Sequence, residues 1–126
     1  MPRSLQIFKA DFFRALAHPI RIRILEVLGT GEHSVQELQQ ALGLEQPIVS
    51  QQLAILRAKN IVTPRKVGTT VQYTLSDRLI TKLLSVAREI FNNHLVDTQT
   101  MLRELQREAR QQRIEHRNPA AVERRP

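Results

Sequence analysis

Residues 34–75, SVQELQQALGLEQPIVSQQLAILRAKNIVTPRKVGTTVQYTL, decide the fold. They open on Ser34-Val35-Gln36-Glu37, a capping-box spacing in which the Ser34 hydroxyl and the Glu37 carboxylate satisfy amide N–H groups that a helix start leaves orphaned. The helix so begun closes at Leu42-Gly43, where glycine permits a sharp turn. A second helix starts at Pro47, whose fixed φ and missing N–H suit a first helical position, and runs to about Ala58. Gln46 then stands as its cap, an unusual choice, because Ser, Thr, Asp and Asn accept amide bonds better. Two helices joined by so short a turn cross steeply.

The second helix has a divided surface. Val49, Leu53 and Leu56 fall at i, i+4 and i+7, an apolar stripe for the core, which leaves Gln46, Ser50 and Gln51 pointing away. Serine and glutamine donate and accept at base edges, and glutamine pairs bidentately with adenine in the major groove. Taken alone, these polar residues fit an ordinary solvated helix face better. The segment that follows reverses that balance. Ile61 to Val67 and Val71 to Leu75 are rich in β-formers, and Val71, Tyr73 and Leu75 alternate with Gln72 and Thr74 in the period of a half-buried strand. Gly68-Thr69-Thr70 forms the turn between them, and Pro64 confines the first strand to an edge or a bulge because it cannot donate to a ladder. Arg65 and Lys66 lie beside the turn, where a basic edge also deters strand-to-strand aggregation.

Two helices and a basic hairpin in this order make a mainly α winged helix-turn-helix with a small β-hairpin, an arrangement that reads duplex DNA. The candidate DNA contacts are Gln46, Ser50, Gln51, Gln52 and Arg57 on the second helix, with Arg65, Lys66, Thr69 and Thr70 on the wing. Gln39 departs from the pattern, since such motifs usually carry a small residue there so that the helices can approach.

Phe12 to Leu75 resembles the ArsR/SmtB family of winged-helix bacterial repressors. The likeness rests on Leu16-Ala17-His18-Pro19, Arg21 to Leu25, Val49-Ser50-Gln51-Gln52-Leu53, Leu56-Arg57, Ile61-Val62, Arg65, Gly68 and Tyr73. The resemblance implies a homodimer with its second helix in the major groove, its wing near the minor groove or backbone, and repression relieved by an effector. His18-Pro19 matches the family's recurring step, which implies that His18 serves the start of a helix.

Charge points the same way independently. Residues 46–78 hold five basic residues and one acidic, residues 103–126 hold seven and four, and the rest of the chain is balanced, so the net +7 is concentrated in two places. Concentrated positive charge attracts a polyanion, and no long apolar stretch or lipidation motif favours a membrane instead. Single-stranded nucleic acid is the poorer partner, because the basic region offers only Tyr73 as a stacking platform.

A length of 126 residues suits one domain that gains from self-association. No cysteine is present, which removes disulfides, thiolate metal sites and thiol redox sensing together. The N-terminus lacks a signal peptide's apolar region, and the expected DNA binding sets the compartment as the cytoplasm, on the nucleoid.

Residues 5–17 set Leu5, Phe8, Phe12 and Leu16 on one helical stripe. Pro19 opens a second helix ending near Gly29, although Ile20-Arg21-Ile22-Arg23-Ile24 alternates like a strand; the family resemblance and the proline decide for helix. A final helix begins at Ser76 or Asp77, both good caps, and runs to about His116, until Asn118-Pro119 stops it. It carries Ile80, Leu84, Ala87, Phe91, Leu95, Thr98, Leu102 and Leu105 at near-heptad spacing, with Leu83, Val86 and Ile90 as a second apolar face. One face serves the core and the other needs a partner. Leu5, Phe8, Phe12, Phe91, Leu95 and Leu102 are the candidate homodimer interface, against the alternative that the aromatics fill the monomer core. Residues 1–117 are expected to form the DNA-binding and dimerisation domain, and 118–126 a disordered basic tail.

No cofactor or metal is expected. His33 reads as a solvated loop residue and His116 as a solvated helix end, while His94 and Asp97, at i and i+3, supply two ligands where zinc takes four. In metal-sensing members of the resembled family the last helix carries acidic and histidine ligands. Here Leu79, Ile90 and Asn93 fall near those places, and Ser34 and Val35 lie near the thiolate pair that others carry. A metal-responsive repressor, with His94 and Asp97 shared across a dimer, is the minor reading. An enzyme is disfavoured, since no nucleophile pairs with a histidine or carboxylate at a recognisable spacing and four glycines build no phosphate loop. A winged-helix module that compacts DNA without specificity, or binds an acidic protein, is the main alternative.

Overall fold

In the computed structural model, which describes residues 4–117, the Ser4 hydroxyl accepts the Ile7 amide and opens α1, Leu5–Leu16. His18 caps α2, Pro19–Leu28, its Nδ1 accepting the Ile20 amide at 3.1 Å, so the Ile20 to Ile24 alternation is helical. Two arginines of α2 hold neighbouring helices by their last turns, where carbonyls lack intrahelical partners. Arg21 Nε donates to the Ala15 carbonyl at 2.6 Å, and an Arg23 NH2 donates to the Leu42 carbonyl at 2.9 Å.

After α2 come β1 (His33–Ser34), α3 (Val35–Leu42), α4 (Gln46–Ala58), β2 (Val62–Val67), β3 (Thr70–Leu75) and α5 (Leu79–Arg117). The sheet is antiparallel in the order β1-β3-β2 and therefore has three strands, where the sequence predicts two. His33 lies opposite Tyr73 in β1, half-buried, so it is no solvated loop residue; its Nδ1 is 2.8 Å from the Gly31 carbonyl. Pro64 sits on β2, an edge strand, as its missing N–H requires. The hairpin turn is only Gly68-Thr69, because Val67 already pairs with Thr70; Gly68 takes the left-handed φ of 62° that closes it.

Ile61 is buried just before β2 rather than inside it, and Asn60, at φ 59°, makes the bend. Asparagine tolerates that left-handed conformation better than most residues. α5 begins at Leu79 rather than at Ser76 or Asp77, with Asp77 Oδ1 accepting the Leu79 amide at 2.9 Å.

The chain forms two compact units, divided between Ser85 and Val86. The first buries one core from Ile24, Leu25, Leu38, Val49, Leu53, Leu56, Ile61, Val62 and Ile80, with Phe12, Leu83 and Leu84 packed against it. The second, as described, is the remainder of α5, whose side chains from Glu89 to Glu115 are all exposed. No helix of the described residues is long and apolar enough to cross a membrane. The tail expected at 118–126, with Asn118-Pro119 as helix stop, and the side chain of His116 lie outside what is described.

Candidate nucleic-acid interface

Ser34 fixes the start of α3. Its hydroxyl accepts the Glu37 amide at 3.1 Å while Glu37 Oε1 accepts the Ser34 amide at 3.0 Å, the reciprocal pair that the spacing predicts. The Ser34 amide holds the Glu37 carboxyl below its usual range. Gly43, at φ 66°, ends α3 in the left-handed region, its amide donating to the Gln39 carbonyl. Gln39 is half-buried and lines, with Val35, Gln36, Gln40 and Gln46, an open depression of about 510 Å³.

α4 begins one residue earlier than Pro47 implies. Glu45 is its N-cap and Gln46 its first residue, and no side chain caps it. Glu45 is extended, and its carbonyl accepts the Ile48 and Val49 amides, so Gln46 is free of capping duty. Val49, Leu53 and Leu56 are buried, Gln46 and Gln51 are exposed, and Ser50 is half-buried. Gln46 Nε2 donates to Ser50 Oγ at 3.0 Å, which couples these two polar residues one turn apart.

Gln52 does not belong to this face. It is 8% exposed, and its Oε1 accepts from Arg21 at 3.0 Å. At 100° per residue it falls about 40° beyond Leu56, on the margin of the buried stripe, so a polar residue there needs an internal partner. Arg21 is that partner, and the link across 31 residues leaves no trace in local spacing.

Arg57 and Lys66 are exposed, with no ion pair among the described residues. Arg65 is exposed but engaged. It donates to both carboxylate oxygens of Glu32, and this pairing draws the Glu32 carboxyl below its usual range and raises the Arg65 guanidinium above its own. Glu32 is thus a member of the basic wing that sequence reasoning missed. At the tip Thr69 and Thr70 are exposed, and Thr70 Oγ1 donates to the Val67 carbonyl at 2.9 Å, leaving its oxygen as an acceptor.

Leu5, Phe8, Phe91, Leu95 and Leu102 are all exposed, Phe91 by 64%, so they do not fill the core; Phe12 is half-buried and does. His94 and Asp97 are exposed on α5, and no three His, Asp or Glu side chains among the described residues are placed to share a metal ion.

A glycine-hinged helix pair, with amides and a hydroxyl on the outer face of the second helix and a basic hairpin after it, defines a winged helix-turn-helix regulator. The family described as bacterial regulatory protein, arsR family, matches residues 18–63. The chain is 43% identical over 98 residues to an uncharacterized HTH-type transcriptional regulator, Rv0081, of Mycobacterium tuberculosis, spanning 77% of this chain and 86% of that one. The Rv0081 crystal structure superposes with a TM-score of 0.69 at 42% identity, over 76% of this chain and 97% of that chain. The biofilm growth-associated repressor of Xylella fastidiosa is 37% identical over 65% of this chain and 72% of its own. A homodimeric winged helix-turn-helix DNA-binding domain of Mycobacterium bovis, a possible ArsR-family regulator, has a TM-score of 0.66 at 27% identity, covering 72% of this chain and 84% of that one. This chain belongs to the arsR family of HTH-type transcriptional regulators.

Proposed function

We propose that this protein is a dimeric repressor that reads a palindromic operator in duplex DNA. The observation that carries the reading is α4 itself. Its core stripe, Val49, Leu53 and Leu56, is fully buried, which leaves Gln46 and Gln51 exposed and Ser50 half-buried on the same helix as the exposed Arg57, with the exposed Lys66 on the wing; neither cation has an ion pair among the described residues. Directional amides and a hydroxyl suit base edges, whereas exposed cations suit phosphates, which position a protein without specifying sequence. Arg65, Thr69 and Thr70 complete the wing's contribution. Gln52 acts behind the face, holding Arg21.

Leu5, Phe8, Phe91, Leu95 and Leu102 form the seam between protomers, supported by their exposure in the single chain and by the homodimeric state of the Mycobacterium bovis domain. Phe12, half-buried against the core, is the remaining seam residue. Residues 1–117 together act as the DNA-binding and dimerisation domain. Repression as the sign of control is supported by the Xylella fastidiosa relative, itself a repressor. The site of action is the cytoplasm, where the operator is.

Footprinting on genomic fragments retained by the purified protein tests this. A two-fold dimer protects two half-sites with centres about 10 base pairs apart, or a multiple of that. A single asymmetric half-site, or protection without sequence preference, overturns the reading.

A further inference from the structure

The C-terminal stretch of α5 carries a feature that neither base reading nor the apolar seam uses. Arg103, Arg107, Arg110 and Arg113 follow one another at i, i+4, i+7 and i+10. At 100° per residue they share an arc of about 120° and extend about 15 Å along the axis. All four are exposed, and none joins an ion pair among the described residues. Glu104, Glu108 and Glu115 lie on the same helix but on another face, and none forms an ion pair with these arginines among the described residues.

An ordinary solvated helix is built otherwise. Opposite charges three or four residues apart stabilise a helix, and like charges at those spacings oppose it. Here Arg103 and Arg107, Arg107 and Arg110, and Arg110 and Arg113 are like-charged neighbours of this kind, whereas Glu104 with Arg107 is the one opposing pair. A row of mutually repelling cations gains from a polyanion laid along it. The choice of cation agrees: residues 103–126 contain seven arginines and no lysine. Arginine is less strongly hydrated than lysine, and its planar fork binds phosphate through two parallel hydrogen bonds.

We propose that the Arg103, Arg107, Arg110 and Arg113 face of α5 is a second, sequence-independent DNA contact that grips the phosphate backbone of duplex DNA. This rests on the reading of the chain as a DNA-binding regulator. The phosphates come either from the flanks of the bound duplex or from a second duplex.

The test compares the full chain with Arg103→Gln/Arg107→Gln/Arg110→Gln/Arg113→Gln, a variant that keeps helix propensity while removing charge. Fluorescein-labelled mixed-sequence duplexes of about 16 and about 40 base pairs are titrated by anisotropy between low and high salt. For every phosphate no longer neutralised, the slope of log K against log salt flattens by about 0.9, so removal of the whole face flattens it by about 3.6 per protomer. Flattening on the longer duplex alone assigns the contact to flanking DNA. Flattening on both, with two duplexes co-sedimenting per wild-type dimer, assigns it to a second duplex.

Circular dichroism and sedimentation of the variant verify that helix content and assembly are retained. If either changes, Arg107→Gln/Arg110→Gln serves in its place and should flatten the slope by about 1.8. Glu108→Gln/Glu115→Gln, neither of them three or four residues from an arginine of the face, controls for net charge and should leave the slope unchanged. The proposal is overturned if the arginine variants keep the wild-type slope while Arg57→Ala/Lys66→Ala flattens it, the result expected of a face that serves an acidic protein instead. It is equally overturned if the glutamate variant moves the slope as much as the arginine variant. Wild-type protein that shows no salt-dependent binding to either duplex refutes the underlying DNA-binding reading itself.

Discussion

Arg65 on the wing grips Glu32, 33 residues earlier, through two parallel hydrogen bonds, Nε to Oε1 at 2.9 Å and a terminal nitrogen to Oε2 at 2.7 Å. The pair ties β2 to the loop before β1 and at the same time cancels one positive charge of the wing. Such a fork is also the geometry in which arginine binds phosphate, so Glu32 takes up the donors that Arg65 would offer to DNA.

Replacing Glu32 with Gln therefore strengthens binding to every duplex. The freed Arg65 adds about 0.9 to the salt slope and raises affinity several-fold at low salt, without altering base preference. Lowering the pH acts in the same direction: the Glu32 carboxyl, drawn below its usual range by Arg65, keeps the pair intact above that range and releases it as pH falls through the lowered value. Anisotropy titrations of both proteins decide the matter. Weaker binding by Glu32→Gln means that the pair holds the wing in its binding position rather than masking it.

Glu37 makes a parallel prediction about stability. Its carboxyl is held below the ordinary value of 4.5 by the Ser34 amide, so the cap stabilises α3 fully above that value and is lost as pH falls through the lowered one. Thermal melts of wild type and Glu37→Ala should be separated at pH 7 and converge toward pH 3. Ser34→Ala, which removes the other half of the box, costs about 1 kcal/mol at neutral pH. A Glu37→Ala gap that is the same at both pH values contradicts the electrostatic share of the cap.

The readable parts of this chain are those whose causes lie within a few residues. Ser34 with Glu37, Gly43, Pro19 behind His18, and Pro64 on an edge strand all follow from local hydrogen-bonding needs, and each has the predicted role. Partners that are distant in sequence leave no such mark. Gln52 looks like its neighbour Gln51 until Arg21 is found against it, and Arg65 looks like a free cation until Glu32 is found. β1 is two residues long, too short for any alternation, and exists because β3 has an edge to offer. α4 starts one residue before the place that Pro47 suggests because proline suits the second helical position as well as the first, so its presence does not identify the cap.

Gln51 and Gln52 thus separate recognition from stability. Gln51→Ala and Ser50→Ala relax sequence preference by roughly 1 to 3 kcal/mol for each base edge left without its hydrogen-bonding partner, with the fold intact. Gln52→Ala leaves Arg21 with only its Ala15 carbonyl acceptor and costs about 1.5 to 3 kcal/mol of folding stability, the range for a hydrogen bond to a charged group, while base preference stays as it was. Selection from a randomised duplex library, run beside denaturant melts, gives both quantities. A changed consensus with Gln52→Ala would put that side chain back on the DNA.

Metal should have no hold on this repressor. With no cysteine in the chain, His94 and Asp97 are the pair on α5 that joins a histidine to a carboxylate at i, i+3, and they complete a four-ligand site only if two copies bring them together. Zinc and chelators are expected to leave operator affinity unchanged within twofold. Stoichiometric zinc binding that is abolished by His94→Ala, with a matching shift in affinity, contradicts this.

Phe91 and Phe12 divide the dimer from the monomer. Phe91 is 64% exposed in the single chain, so Phe91→Ser takes nothing from the monomer core and acts on association. Phe12 packs against that core, so Phe12→Ser also loses part of the roughly 3 to 5 kcal/mol that truncation of a buried phenylalanine costs. Sedimentation equilibrium should show Phe91→Ser shifted toward monomer, with its denaturation midpoint no longer rising with protein concentration, because only an associated chain draws stability from mass action. Operator affinity falls in step, since a monomer reaches one half-site and leaves the other half of the operator unread. Phe12→Ser should unfold more readily at every concentration. If Phe91→Ser remains a full dimer at micromolar concentration, the seam lies elsewhere on the chain and the exposed stripe from Phe91 to Leu102 serves another purpose.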